Sequence, residues 1–360
     1  MRPMVLLVDV VGSDGSTWKS LLENQNYEVI AAEDGPSALR QCLLLQPDLV
    51  LLRESLPELD SFELCRLFKE SPFNELIPIV LIRDSCDPAD ISRGREAGAA
   101  EVWRTCSSLE EGLCRMQELL RLNNYINEQA KSVVLSLAAS MEAKNSLSEG
   151  HSERMVEYAV QLAESVGLEE QELQEMEMAC RLHDIGKVAI PDNILLKPGP
   201  LNVEEMEVVR RHPAAGEKIC APLKSLRGIL PVIRHHHERM DGSGYPDGLS
   251  GEQIPVKARI LQIADIYDAL TTNRPYRAAL SSAQALQILD QEATRGWLDA
   301  SLVRTFCGMR GWEAPLRLNR RSMLASYYGG WDATDMAFAS RLASPLYRAA
   351  AFAPRGRRFL

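Results

Sequence analysis

The sequence predicts a multidomain protein in which an amino-terminal α/β domain, built on a parallel five-stranded sheet, is followed by an all-α domain. In the first 106 residues, short apolar runs alternate with helical segments, which is typical of a parallel sheet with helices on both faces. Beyond residue 146, helical segments continue to about residue 310. At 360 residues the chain is long enough for two or three domains, each with its own core.

The elements of the α/β domain follow from its apolar runs and from the spacing of apolar residues between them. Strands are expected at 4–10, 27–32, 49–53, 77–82 and 101–103, and helices at 18–24, 36–45, 62–70 and 87–97. Because a helix separates each pair of successive strands, we expect a parallel, doubly wound sheet of the flavodoxin-like kind.

The segment from Ser107 to Ser146 contains no proline and a single glycine, Gly112, which predicts one long helix or two abutting ones. Its apolar residues form a broad stripe at helical spacing: Leu113, Met116, Leu119, Leu120, Ile126, Val133, Val134, Leu137 and Met141. The stripe fits a helical lever that connects the two domains and also forms the contact of a homodimer. It also fits a helix that packs on its own domain. We favour the homodimer.

The all-α domain is divided into helices by the same reasoning. They are expected at 153–166, 169–182, 203–211, 215–220, 228–237, 256–272 and 282–293, with a loop at 238–255. The predicted domain limits are therefore 1–106, 107–146, 147–315 and 316–360. The last segment holds eight arginines against two aspartates. It fits an accessory helix with a frayed end better than a surface that binds anions or membranes.

Composition excludes several classes of protein. No apolar run reaches the length of a membrane span. A signal peptide would need an apolar stretch where this chain has Asp9, so we expect a cytoplasmic protein. The eight cysteines form no C-x-x-C pair and are expected to be reduced thiols. A net charge of -10 argues against a large nucleic acid as partner.

All six histidines lie between residues 151 and 237. An adjacent imidazole and carboxylate, His183 and Asp184, can reach one cation, and Lys187 follows one turn later. Imidazole binds Fe, Mn, Zn or Ni, while a carboxylate can bridge two cations. Five imidazoles and two carboxylates predict a two-metal centre suited to in-line attack on a phosphodiester. The candidate ligands are His151, His183, Asp184, His212, His236, His237 and Asp265.

Several motifs occur in the order of a known family. They are Gly150-His151-Ser152, His183-Asp184-Ile185-Gly186-Lys187, His212-Pro213, His236-His237-Glu238, Gly244-Tyr245-Pro246, Ile254-Pro255, Ala264-Asp265-Ile266-Tyr267-Asp268 and Arg274-Pro275-Tyr276-Arg277. Between residues 145 and 305 the chain thereby resembles the HD superfamily of metal-dependent phosphohydrolases and its HD-GYP subfamily. The resemblance implies a phosphodiesterase that acts on cyclic di-GMP in signal transduction, giving pGpG and perhaps GMP.

The resemblance also implies roles for individual residues. His151, His183, Asp184 and Asp265 would hold one metal, and a bridging Asp184 would hold the second with the remaining ligands, His212, His236 and His237. Lys187 would neutralise a phosphate oxygen, and Tyr245 would stack on a base within a loop whose glycines let the backbone approach the ligand. Arg274 and Arg277 would contact phosphate or guanine. His235 is expected to lie outside the metal centre.

The amino-terminal half resembles a response-regulator receiver domain through Gln46-Pro47-Asp48-Leu49, Leu56-Pro57, Ile77-Pro78 and Gly98-Ala99. Receivers carry an acceptor Asp at the end of the third strand, where this chain has Arg53. A fixed cation cannot be phosphorylated. We therefore predict a degenerate receiver, a pseudo-receiver that acts through signalling protein partners.

Alternatives stay open at this point. A non-catalytic regulator could bind a cyclic dinucleotide or a protein through the same domain, but the complete ligand set favours an enzyme. A hydrolase of another cyclic dinucleotide fits the same residues. Two Fe or Mn ions are expected ahead of Zn or Ni. A third metal is less expected, because Asn145 and Leu147 occupy positions where many family members carry an acidic residue.

Overall fold

The computed structural model of the chain describes residues 2–9, 15–54, 56, 59–84, 87–104, 108–144, 150–197, 199–273 and 278–312. The chain divides into two compact units. One comprises Met1–Ser132 with Ala221–Ser225, and the other comprises Val133–Cys220 with Leu226–Leu360. The four domain limits expected from the sequence remain a prediction.

The first unit contains a parallel five-stranded sheet in the order β2-β1-β3-β4-β5. This is the flavodoxin-like order, so the predicted fold class of this half is confirmed. The strands are β1 Met4–Val8, β2 Glu28–Ala32, β3 Leu49–Arg53, β4 Ile79–Arg83 and β5 Glu101–Arg104, and the helices between them are α1 Gly15–Asn24, α2 Gly35–Leu45, α3 Ser61–Glu70 and α4 Pro88–Glu96.

Both faces of this sheet are covered, which explains why its strands are apolar without a break. Alternate residues of one strand enter different cores. Leu6 and Val8 of β1 pack with side chains of α2 and α3. Val5 and Leu7 pack on the opposite face with Trp18 of α1 and with residues of the helix that follows β5.

That following helix, α5, runs unbroken over Leu109–Lys144, a length of 36 residues. Its apolar stripe has two parts. Met116 and Leu120 are buried in the sheet core, and Leu113 and Leu119 pack against that core. Further along, large side chains are exposed: Leu122, Tyr125, Ile126, Val133 and Leu137. The first part thus packs on its own domain, while the homodimer contact stays a prediction for the second.

In the described residues of the second unit after α5, every regular element is a helix, as predicted. Its helices are α6 His151–Ser165, α7 Glu170–Leu182, α8 Asp192–Leu195, α9 Val203–Val209, α10 His212–Cys220, α11 Leu230–His235, α12 Val256–Thr271, α13 Ser282–Thr294 and α14 Ala300–Met309, with short 3-10 helices at Ile185–Ala189, Lys224–Ile229 and Gly251–Gln253. The four-residue α8 and the last helix, α14, were not predicted as separate elements.

The central element of this unit is α12, which packs against α6, α7, α11 and α13. Nearly every residue from Ala258 to Leu270 is buried, as expected of a helix surrounded by others. Two carboxylates on this helix, Asp265 and Asp268, are buried among apolar residues. A buried charge must be paired or bind a metal, so these residues mark the functional site. Of the helices that the structure describes, none is long and apolar enough to span a bilayer.

Candidate metal centre

The predicted ligands come from helix ends around α12. His151 is the first residue of α6, and His212 is the first residue of α10. His183 follows directly after α7, and His236 follows directly after α11. These helix ends converge, so imidazoles that are far apart in sequence meet in one place. Asp265 completes the set from the middle of α12.

The seven side chains form two groups of potential metal ligands. Asp184, His212, His236 and His237 make one group, and His151, His183 and Asp265 make the other. Within each group, one donor atom per residue lies within 4.8 Å of the others. This division matches the two ligand sets expected from the sequence, apart from Asp184, which falls in the first group only.

The carboxylate of Asp184 nevertheless faces both groups. Its Oδ2 lies 3.4 Å from Nε2 of His183, and its Oδ1 lies 3.3 Å from Nε2 of His212. Each oxygen is therefore directed at an imidazole of a different group. Such a carboxylate can be shared between two cations.

The orientation of each ring is set by a hydrogen bond at its other nitrogen. Three histidines pair Nδ1 with the carbonyl oxygen three residues earlier: His183 with Cys180 at 2.9 Å, His212 with Val209 at 2.7 Å and His236 with Ile233 at 2.7 Å. When Nδ1 donates to this carbonyl, Nε2 keeps its lone pair for a metal. The repeated geometry follows from placing each histidine one turn after a helical carbonyl.

Unpartnered polar atoms show that the donor set fits metal ions. Among the described residues, Nε2 of His237 and Oδ1 of Asp265 are buried without a hydrogen-bond partner. Leaving such atoms unpaired costs about 1–3 kcal/mol each. Nε2 of His212 and Nε2 of His236 also lie only 3.3 Å apart. A cation between these lone pairs would satisfy them.

The electrostatics of the site favour metal-binding protonation states at three residues, His236, His237 and Asp184. Burial and neighbouring histidines hold the pKa of His236 and of His237 well below the usual value, so both rings are neutral at neutral pH. Burial alone would raise the pKa of Asp184. The charges of Lys187 and His183 outweigh it and hold that pKa well below its ordinary value, so Asp184 is a carboxylate.

Lys187 lies beside these candidate ligands, and its predicted role towards substrate stays a prediction. Its Nζ pairs with Oδ2 of Asp184, and its side chain is almost fully buried. The 3-10 helix that carries it approaches α10 very closely at Gly186. A Cβ atom at Gly186 would lie 1.9 Å from the carbonyl oxygen of His212. Glycine is therefore required there for Asp184 to reach His212.

The relatives of the chain identify its family. A family model described as "HD domain" matches residues 136–302. The cyclic di-GMP phosphodiesterase response regulator RpfG of Xanthomonas campestris pv. campestris is 38% identical over 311 residues, which cover 79% of this chain and 82% of that protein. The chain belongs to this family of HD-domain phosphodiesterases. The predicted enzyme class and family are thereby confirmed.

Further members of the HD-domain phosphodiesterases differ in the substrate that they are named for. A probable cyclic di-GMP phosphodiesterase of Vibrio cholerae is 31% identical and covers 74% of this chain and 69% of that protein. The 3'3'-cGAMP-specific phosphodiesterase 2 of the same organism is 40% identical and covers 42% of this chain and 30% of that protein. Among solved structures, a putative response regulator from Chloroflexus aurantiacus is 26% identical, with a TM-score of 0.33, and covers 34% of this chain and 99% of that chain.

The loop that carries Tyr245 is held beside the metal ligands of this HD-domain phosphodiesterase. Glu238 accepts hydrogen bonds at Oε1 from the backbone N–H of Asp247 (2.7 Å) and of Gly248 (3.0 Å). The Tyr245 ring lies 4.9 Å from the His237 ring. A Cβ atom at Gly244 would lie 2.4 Å from the backbone nitrogen of Arg239. The close approach at Gly244 is therefore to the chain itself, and an approach of the loop backbone to a ligand stays a prediction.

The remaining predicted residues fall into two classes. His235 lies outside both ligand groups, as expected, and its Nε2 is 3.0 Å from Oδ2 of Asp247. Arg274 and Arg277 lie outside the described residues. Their predicted contact with substrate therefore stays a prediction.

A cavity of about 240 Å³ opens beside the ligands. Its polar wall includes His151, His183, Asp184 and Lys187. Its lining also includes apolar residues, among them Ile190 and Leu195, together with Met141 from the last turns of α5. Ligand pockets for drug-sized molecules span about 300–1,000 Å³. This cavity is therefore somewhat smaller than a pocket for a drug-sized molecule.

Sequence reasoning missed the residues that position the ligands. Asp268 pairs through Oδ2 with Nδ1 of His151 at 2.7 Å and through Oδ1 with Nε of Arg154 at 2.5 Å. Burial would raise the pKa of Asp268, but these two partners outweigh it and lower that pKa. The sequence offered one indication of this role: Asp268 lies three residues after Asp265, so both carboxylates lie on the same side of one helix.

The pseudo-receiver has an ion pair where receivers are phosphorylated. Arg53 is the last residue of β3, and its Nε lies 3.5 Å from Oδ1 of Asp9, just beyond the neighbouring strand β1. Both side chains are largely buried. At the end of β3, the guanidinium thus pairs with the carboxylate of Asp9.

Proposed function

We propose that this protein hydrolyses cyclic di-GMP to linear pGpG, and further to GMP where the product rebinds, at a binuclear metal centre. The observation that carries the proposal is the position of Asp184, whose two oxygens face His183 and His212 in different ligand groups. Two separate ligand groups joined by one carboxylate suit a pair of cations rather than a single one.

The ligand roles follow from this arrangement. His151, His183 and Asp265 would hold one ion, His212, His236 and His237 would hold the other, and Asp184 would contribute an oxygen to each. When bound, two divalent ions stabilise the charge on a phosphate and lower the pKa of a water molecule that attacks it. Imidazole-rich sites with carboxylates accept Fe or Mn, which we favour over Zn and Ni.

The other residues of the site bind and orient the substrate. Lys187, which balances Asp184 in this structure, is placed to neutralise a non-bridging phosphate oxygen. Tyr245, beside His237, offers a ring for a base to stack on. Arg274 and Arg277 are proposed as further contacts to phosphate or guanine. Metal ligands, Lys187 and apolar residues line one cavity, which supports a substrate that carries both phosphate and base.

Regulation is proposed to come from the pseudo-receiver by contact rather than by phosphorylation. Arg53 replaces the acceptor, so the domain is expected to respond to a partner protein or to the geometry of a homodimer. The exposed apolar residues of α5 are the proposed homodimer contact.

A second candidate substrate is supported by the relatives. Phosphodiesterases of Vibrio cholerae that are named as specific for 3'3'-cGAMP share 40%, 36% and 34% identity with this chain. They are matched over 156, 159 and 175 residues. In 3'3'-cGAMP one guanine is replaced by adenine, so the same centre could hydrolyse it.

The proposal is tested by incubating the full chain, purified without oxygen and with its metal content measured, with cyclic di-GMP, 3'3'-cGAMP and cyclic di-AMP. We expect cyclic di-GMP to be cleaved fastest, with pGpG as the first product. Faster cleavage of 3'3'-cGAMP would establish the second candidate. Binding of cyclic di-GMP without any hydrolysis by the metal-loaded protein would indicate the non-catalytic regulator instead.

A further inference from the structure

We propose that Glu142, on the last turns of α5, is a positioning residue for hydrolysis, because it fixes the helix end that carries His151. Its Oε1 accepts a hydrogen bond from the backbone N–H of Ser152 at 3.1 Å, and its Oε2 accepts one from Oγ of Ser152 at 2.5 Å. Both contacts lie within the second unit, between α5 and the first turn of α6. This inference rests on the proposed metal centre.

The start of α6 needs such a partner. The first four N–H groups of a helix have no partner within it, and the residue before the helix usually supplies a side-chain oxygen. In α6 that residue is Gly150, which has a φ of 66° and no side chain. Glu142 takes over this role from another helix, and its negative charge also suits the positive end of the helix dipole.

The consequence reaches the metal ligand directly. His151 is the first residue of α6, and Ser152 is the second. Asp268 holds the His151 ring, while Glu142 holds the adjoining backbone. Nε2 of His151 lies 4.0 Å from Oδ1 of Asp265, so a shift of the first helical turn would pull one ligand away from the group.

A second observation places the end of α5 at the reaction site. Ala138, Met141 and Glu142 line the same cavity as His151, His183 and Asp184. α5 is continuous from Leu109 to Lys144. Glu142 therefore makes the end of this helix part of the support of the metal centre.

The experiment compares wild type, Glu142→Ala, Glu142→Gln and the matched control Glu118→Ala in the full chain. Glu118 is exposed on the same helix. Bound metal is measured together with kcat and KM for cyclic di-GMP. We expect Glu142→Ala to lower kcat by about 10- to 100-fold, as loss of a supporting contact does in metal sites, with little change in KM and with loss of part of the bound metal.

Rescue separates positioning from a general effect on folding. Glutamine keeps an oxygen that accepts from the Ser152 amide, so Glu142→Gln should recover most of the metal and of kcat, and Glu118→Ala should match wild type. If Glu142→Ala does not fold, Ser152→Ala is expected to lower metal content in the same direction but by less. The proposal would be overturned if folded Glu142→Ala kept the metal content and kcat of wild type. If Glu142→Ala does not fold, the same result in Ser152→Ala would overturn it.

The outcomes also distinguish this proposal from the proposed function. If wild type binds metal but hydrolyses no cyclic dinucleotide, the proposed function fails, and the metal content of Glu142→Ala still decides the positioning role. If wild type is active and Glu142→Ala is indistinguishable from it, the positioning role fails and the function stands.

Discussion

Asp268 accepts a hydrogen bond from Nδ1 of His151 at 2.7 Å, and the same carboxylate pairs with Arg154. This contact fixes the ring so that Nε2 is directed towards Asp265. A carboxylate behind a ligating histidine sets the ring orientation and raises the basicity of the metal-binding nitrogen. Asp268 therefore belongs to the site although it is not a ligand.

Replacing Asp268 is expected to weaken metal binding at the His151 group. Asp268→Ala should reduce metal affinity or kcat by about 10- to 100-fold, because His151 loses its orienting acceptor. Asp268→Asn keeps one acceptor oxygen and should lose less. Metal titration and steady-state kinetics measure both. Asp290→Asn on α13 is the control, and equal effects at the two positions would contradict the orienting role.

The contact at Gly186 gives a prediction about stability. Gly186→Ala places a Cβ atom 1.9 Å from the carbonyl oxygen of His212, so backbone must move apart. Overpacking of this kind costs about 1–3 kcal/mol, and we expect a lower melting temperature together with lost metal. A Cβ atom at Gly308 in α14 would instead enter open space, with no neighbour within 4 Å. Gly308→Ala should therefore be neutral or stabilising by up to about 1 kcal/mol.

An unchanged melting temperature and metal content for Gly186→Ala would show that the 3-10 helix can move away from α10 without cost. The comparison is sharp because both substitutions add the same methyl group. Only the surroundings differ.

The pseudo-receiver is expected not to accept phosphate. Acetyl phosphate should leave residues 1–106 unmodified, because the guanidinium of Arg53 pairs with Asp9 where an acceptor carboxylate would stand. Intact-mass measurement detects the modification, and a phosphorylatable response regulator serves as the positive control. Phosphate recovered on this domain, together with altered hydrolysis, would overturn the assignment.

Charges on the exposed part of α5 test the predicted homodimer. Leu122, Ile126, Val133 and Leu137 recur at spacings of four and seven residues, which places them on one side of the helix. Ile126→Glu with Val133→Glu should convert a dimer to a monomer in light scattering, because burying the new charges is costly. Leu119 is unsuitable for this test because it packs on the sheet core.

Leu44→Glu is the matched control for that measurement, since Leu44 is 79% exposed on α2. It should leave the mass in solution unchanged. A monomer both before and after the α5 substitutions would remove the homodimer and leave α5 as an intramolecular element.

The sequence predicted the sheet well because strands buried on both faces are apolar without interruption, as in Leu49–Arg53. It also indicated which side chains would meet around α12, because histidines are few and cluster with aspartates, and their role as metal ligands stays a prediction. It could not identify Glu142, since acidic residues are common on helices and only the fold brings this one to Ser152. The sequence likewise could not show that Gly244 packs closely against the backbone of Arg239, because that contact depends on the fold.

The most direct test of the account is the metal content and activity of Asp184→Ala, measured on the same preparation as wild type. Both ions share this carboxylate in the proposed centre, so its loss should abolish hydrolysis of cyclic di-GMP and lower bound metal below about one equivalent per chain. Wild-type metal content with wild-type activity in Asp184→Ala would contradict the two-metal centre.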